Sequence, residues 1–112
     1  MGRLLGDAKG APVSKERMTL IWSPESIHDL IALRAHIAEQ DPAAAKRVAL
    51  HILYCVERLL SENPQLGAPG RVPGTRELVI PKMPFTVPYR IRGTTIEIAR
   101  VYQSSRRWPD RL

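Results

Sequence analysis

A chain of 112 residues with 44% apolar and 25% charged side chains is long enough for one hydrophobic core and too short for a second domain. No apolar run approaches the roughly 20 residues of a membrane-spanning helix, and the N-terminus lacks the apolar stretch of a secretory signal, so a cytoplasmic protein is expected. The single cysteine, Cys55, excludes an internal disulfide and is expected to be a small buried hydrophobe.

The net charge of +6 is unevenly spread. Residues 1–17 carry four basic and two acidic side chains, residues 18–70 four and six, and residues 71–112 nine and three. The basic character belongs to the C-terminal third. Such asymmetry suits either a surface that attracts an acidic protein segment or a nucleic acid, or a solvated face that keeps the chain soluble.

Residues 1–17 show no sustained period and mix Gly, Pro and Ser with isolated charges, which predicts a disordered tail or leader; the folded domain is expected over 18–112. "MTLIW" from Met18 is a run of strand formers. Ser23 then stands as N-cap with Pro24 at the first helical position and Glu25 near the positive end of the helix dipole. The stripe Ile27, Leu30, Ile31 and Ile37 predicts an amphipathic helix with those residues facing the core. Asp41 and Pro42 repeat the same start signal, and Ala45, Val48, Ile52, Cys55, Val56, Leu59 and Leu60 form the second stripe. With so little chain between them the helices fold back as a hairpin.

Pro64 and the Gly and Pro residues over 67–74 end helical structure, and the period changes to two. "RELVI" is one short strand and "FTVPYRI" another, joined by a kinked Pro-Lys-Met-Pro link; "TTIEIARVYQ" is a third, after a tight turn at Arg92-Gly93. Pro88 has no donor for a ladder and so predicts an edge or a bulge. The expected fold class is α+β: an N-terminal strand, an antiparallel helical hairpin, then a three-stranded antiparallel sheet with the hairpin on one face and the other face open.

Gly74-Thr75-Arg76-Glu77-Leu78, then Pro84-Phe85-Thr86-Val87-Pro88-Tyr89-Arg90-Ile91, and finally Arg106-Arg107-Trp108-Pro109, resemble the ParE branch of the RelE/ParE superfamily of bacterial toxins. The likeness extends back through "LIWSPESIHDLIALRAHIAEQDPAAAKRV" and covers nearly everything from Met18 to Pro109. The resemblance implies a type II toxin–antitoxin module, in which an antitoxin's C-terminal segment wraps around the toxin and holds it inactive. Acidic side chains of such an antitoxin are expected to meet Arg76, Arg90 and Arg100, and target contacts are expected at Arg76, Arg106, Arg107 and Trp108, since Arg and Trp often carry interface energy. Arg76 has an alternative role, pairing its charge across the sheet, and Trp108 packing on the domain edge is the alternative for the C-terminal cluster.

RelE-like relatives cut messenger RNA on the ribosome, whereas ParE-like members are associated with inhibition of DNA gyrase. Cleavage by the RNA's own 2′-hydroxyl needs a proton acceptor, cations for the transition state and a proton donor. Where the resemblance leads one to expect two lysines, this chain has Glu77 and Val79, and Thr86 stands for an arginine. Many relatives end the last strand in His where this chain has Gln103, and no tyrosine follows Trp108. Arg106 remains, but an arginine holds phosphate and does not shuttle protons. Tyr89 on the apolar alternation is expected in the core, and Tyr102 is open. No catalytic residue is therefore assigned, and the expected activity is binding to gyrase without chemistry; the alternatives are a ribosome-dependent endonuclease and an inert antitoxin-binding co-repressor. His28 and His36 lie two helical turns apart, too far to share a metal. With His51 they are read as ordinary helix residues, and no metal or cofactor site is expected.

Overall fold

The computed structural model describes residues 18–105, so the expected tail lies outside the described residues. β1 (Thr19–Trp22) leads into α1 (Pro24–Ala38) and α2 (Pro42–Glu62), followed by β2 (Ala68–Pro69), β3 (Arg76–Val79), β4 (Phe85–Arg92), β5 (Thr95–Ile98) and β6 (Tyr102–Gln103). These strands form one sheet in the order β1-β5-β4-β3-β2, with β6 also paired to β4. β1 runs parallel to β5, and the other pairings are antiparallel.

The expected α+β order holds, with two additions. The Gly- and Pro-rich loop contributes β2, which pairs with the start of β3. The third expected strand is broken in two: Tyr89 faces Ile98 and Thr86 faces Tyr102, so two residues of β4 oppose three of the last strand. That is a one-residue bulge, and it falls where Pro88 was expected to force one. Pro88 offers only its carbonyl, which accepts from Ala99 N–H at 2.9 Å.

Both helices start as their caps predict. The Ser23 hydroxyl accepts from Ser26 N–H at 3.0 Å and the Asp41 carboxylate from Ala44 N–H at 3.1 Å. α2 turns its expected stripe inward: Ala45, Ile52, Cys55, Val56 and Leu60 are buried against Leu78, Ile80, Val87, Tyr89, Ile96 and Ile98 of the sheet. α1 does not. Its inward stripe is Ser26, Leu30, Leu33 and Ile37, while Ile27 and Ile31 are exposed. The helix is rolled because Ser26, polar by sequence, is accommodated in the interior by donating its hydroxyl to Ser23 O at 2.8 Å.

Tyr89 ties the loop to the core. Its hydroxyl donates to Pro64 O at 2.7 Å and accepts from Gly67 N–H at 2.9 Å. A Cβ on Gly67 would lie 2.7 Å from Glu77 O and 2.7 Å from the Tyr89 ring, so that position takes glycine alone. Gly67→Ala should destabilise the fold by about 2 kcal/mol through overpacking, read as a fall in Tm of roughly 10 °C; an unchanged Tm would mean the loop yields without cost.

Three described turn positions lie in the left-handed region, Gly74, Gly93 and Lys82. Gly93 (φ 59°) opens the two-residue turn between β4 and β5 without steric penalty. Between β3 and β4, Met83 N–H donates to Ile80 O at 3.2 Å, which places Pro81 and Lys82 at the two central positions. Lys82 has φ 66°, the type II geometry in which glycine or asparagine is normal. A lysine there costs about 1 kcal/mol.

Candidate binding surfaces

The three arginines expected to meet an antitoxin are already engaged within the chain. Arg76 opens β3 and donates from Nε to Gly67 O at 2.8 Å and from Nη2 to Gln65 O at 3.1 Å. It braces the loop and does not pair its charge across the sheet; the neighbouring Glu77 accepts from Arg71 N–H at 2.8 Å and lies 3.3 Å from Arg71 Nε. Arg90 stands opposite Glu97, with Nη1 3.6 Å from Oε1.

Arg100 is the most committed. Its Nε and Nη2 donate to the two carboxylate oxygens of Asp29 at 2.7 and 2.8 Å, and Asp29 Oδ2 also accepts from Val101 N–H at 3.0 Å. The guanidinium lies over the Tyr102 ring at 4.8 Å. Donating to the Asp29 carboxylate raises the Arg100 pKa above its ordinary value against a smaller opposing effect of burial, so the group stays charged at every working pH. This latch joins α1 to the bulged strand. Arg106, Arg107 and Trp108 lie outside the described residues.

The helical hairpin carries a surface that the sequence reading did not assign. Ile27, Ile31, Leu50 and Tyr54 are 47–61% exposed. The first three line a groove of about 200 Å³ between the helices, floored by Leu30, Ala49 and Leu53, with Arg34 and Lys46 as its only charged lining residues. The signal was available: α1 has apolar residues at 27 and 31 beyond those at 30, 33 and 37 that one core-facing stripe needs. Exposed apolar side chains are thus gathered in one groove, with Arg34 and Lys46 at one end of it.

The sheet positions relevant to RNA cleavage present no proton-transfer set among the described residues. Glu77 is held by Arg71, Val79 is exposed, and Thr86 is buried with its hydroxyl 2.7 Å from that of Ser104. Thr86 and Pro88 also show that the outward face of the sheet is closed at this corner, although it was expected to be open throughout. Gln103 and His36 line a cleft of about 250 Å³ beside the Asp29–Arg100 pair. His51 Nε2 lies 3.4 Å from the buried Cys55 Sγ. Tyr89 is core, as expected, and Tyr102 is buried under Arg100. Among the described residues no three His, Cys, Asp or Glu side chains are grouped to hold a metal, and no helix is long and apolar enough to cross a membrane.

A helical hairpin packed on a bulged sheet is the architecture this chain shares with solved toxin–antitoxin chains of the ParDE and RelBE type. Residues 20–108 match the family model described as the ParE toxin of the type II toxin–antitoxin system parDE, and the chain belongs to that family. The protein named "Putative toxin Y4kP" of Sinorhizobium fredii is 38% identical over 96 residues, spanning 86% of this chain and 98% of that protein. Toxin RelE2 of Caulobacter vibrioides is 26% identical over 87 residues, 78% of this chain and 96% of its own. Among solved structures, a chain of the chromosomal ParDE system of P. aeruginosa superposes with a TM-score of 0.71 at 31% identity, covering 78% of this chain and 96% of that one. A chain of the RelBE2 toxin–antitoxin complex of Mycobacterium tuberculosis, at 22% identity and a TM-score of 0.57 over 79% of this chain and 99% of that one, shares the fold. The protein is a type II toxin–antitoxin toxin of the RelE/ParE superfamily.

Proposed function

We propose that this toxin poisons DNA gyrase by binding it, without chemistry of its own, and that an antitoxin segment seated in the helical groove neutralises it. The observation that carries the first half is the replacement of the cleavage set: Glu77 is tied to Arg71, Val79 is bare aliphatic surface and Thr86 is buried. The Glu77 carboxylate is occupied by the Arg71 side chain and backbone N–H, and neither Val79 nor Thr86 supplies an ionisable group or a cation. Arg76, Arg106, Arg107 and Trp108 are the proposed target contacts.

The second half rests on the groove. An amphipathic antitoxin segment would bury Ile27, Ile31 and Leu50 and bring acidic side chains to Arg34 and Lys46. Arg76, Arg90 and Arg100 would meet further carboxylates, with guanidinium groups whose orientations are already fixed by internal partners. Such fixed groups lose little freedom on binding.

A supercoiling reaction tests the target. Purified toxin should leave gyrase with cleaved or relaxed plasmid, and Arg106→Ala with Arg107→Ala should raise the toxin concentration needed by about tenfold, whereas His36→Ala should not. Normal supercoiling together with cut transcripts in a translating extract would replace the gyrase reading with a ribosomal one.

A further inference from the structure

The groove between α1 and α2 has a direction as well as a lining. The hairpin leaves three residues between its helices, so Arg34, four residues before the end of α1, and Lys46, four residues after the start of α2, meet at the turn end. From there the lining runs back through Ile31 and Ile27 on one wall and Leu50 and Leu53 on the other, about 10 Å along each helix axis. Past Leu53 the next residue in the same row of α2 is Glu57, which is exposed. Among the described residues Arg34, Lys46 and Glu57 have no ion-pair partner. Arg58, the cation beside Glu57, is already shared between Tyr54 and Glu62. The groove is therefore positive at the turn and negative at its open end, with apolar surface between.

We propose that this groove takes an antitoxin helix in one direction only, its C-terminal end against Arg34 and Lys46 and its N-terminal end beside Glu57. Between the end charges the lining is wholly apolar. An extended segment would press backbone N–H and C=O groups onto it with nothing to pair them, whereas a helix has satisfied its own. Ala49, 8% exposed, keeps the floor low between larger side chains, so a third helix can approach to the usual interaxial distance of about 8–10 Å. Direction follows from the termini. The last turn of a helix carries free carbonyls and the negative end of the dipole, which suit two cations; the first turn carries free N–H groups, which suit a carboxylate. Turned round, the helix meets like charge at both ends. The pattern accepted is thus apolar residues at i, i+3 or i+4, and i+7, which span the groove's length, with carboxylates in the turn that follows. This assignment rests on the seating of the antitoxin in the groove and adds the form and polarity of its segment, which makes Arg34, Lys46 and Glu57 determinants of the antitoxin accepted.

The experiment uses the full toxin chain and three synthetic peptides on an Ala-Gln background, each with leucines at i, i+4 and i+7. The first carries glutamates in its last turn and lysines in its first, the second has these charges exchanged, and the third is the first with a proline between its leucines. Circular dichroism confirms that the first two are equally helical. Wild-type toxin should bind the first at least tenfold more tightly than the second and should not bind the third. Arg34→Glu with Lys46→Glu should reverse that order while leaving the Tm within about 2 °C, because both side chains are exposed. Ile31→Glu should abolish binding of either. Equal affinity for the first two peptides, or an order unchanged by the double substitution, would overturn the direction; binding of the proline peptide would overturn the helical form. Failure of the first peptide to bind, or binding that survives Ile31→Glu, would overturn both. The cognate antitoxin should displace the first peptide. An antitoxin that binds the toxin and leaves the peptide in place would overturn the groove as the antitoxin's seat, a failure separate from those of form and direction.

Discussion

Ile31→Glu should weaken antitoxin binding at least a hundredfold while leaving the toxin's Tm within about 2 °C of wild type. Ile31 is 61% exposed and sits on the wall of the helical groove, so its side chain contributes little to folding, and substitutions at such positions usually change stability by under about 0.5 kcal/mol. Binding is a different matter. Covering the exposed parts of Ile27, Ile31 and Leu50 is worth on the order of 1 kcal/mol each. A carboxylate at position 31 removes one of those terms and must itself be desolvated without a partner, a further cost of about 2 kcal/mol. Together these exceed the roughly 2.7 kcal/mol that a hundredfold represents. Lys46→Glu serves as the electrostatic companion: it leaves the apolar floor intact and should slow association, more strongly at low salt. Isothermal titration and stopped-flow mixing separate the two effects. An antitoxin that binds Ile31→Glu as tightly as wild type would place its seat elsewhere on the toxin.

What the sequence disclosed and what it concealed divide along the range of the interactions involved. The helix starts at Ser23-Pro24 and Asp41-Pro42 were legible because a cap is a local event, made by a side chain and a backbone N–H three residues away. The inward stripe of α2 was legible because its core positions are all apolar. Pro88 announced the bulge through the donor it lacks. The roll of α1 was not legible, since a serine takes the core position that periodicity gave to an isoleucine. Nor was the latch between Asp29 and Arg100, which joins residues 71 apart. The arginines were visible as charge, but their internal partners depend on register: Glu97 meets Arg90 only because a two-residue turn sets that pairing. The groove follows from the same roll, as Ile27 and Ile31 reach the surface once Ser26 faces in.

Asp29→Ala should cost the fold about 3 kcal/mol, seen as a drop in Tm of roughly 12 °C or more. An exposed ion pair would not justify that figure, since most are worth under about 1 kcal/mol. Here the carboxylate side chain is 17% exposed and the guanidinium 32%, the pairing is bidentate, and one carboxylate oxygen also accepts from the Val101 backbone at the bulge. Alanine therefore leaves a half-buried cation and a backbone N–H without their acceptor. Asp29→Asn retains an acceptor for Val101 and should lose about half as much. α1 feels the change more than the rest of the molecule, because Ser26 is its one fully buried residue and polar ties to the bulge hold it in place: the latch, and the Ser23 hydroxyl donating to Ala99 O at 2.8 Å. Since α1 supplies one wall of the groove, Asp29→Ala should also weaken antitoxin binding, by about tenfold, at temperatures well below its lowered Tm. Loss of stability with undiminished antitoxin affinity would show that α1 keeps its place through α2 alone.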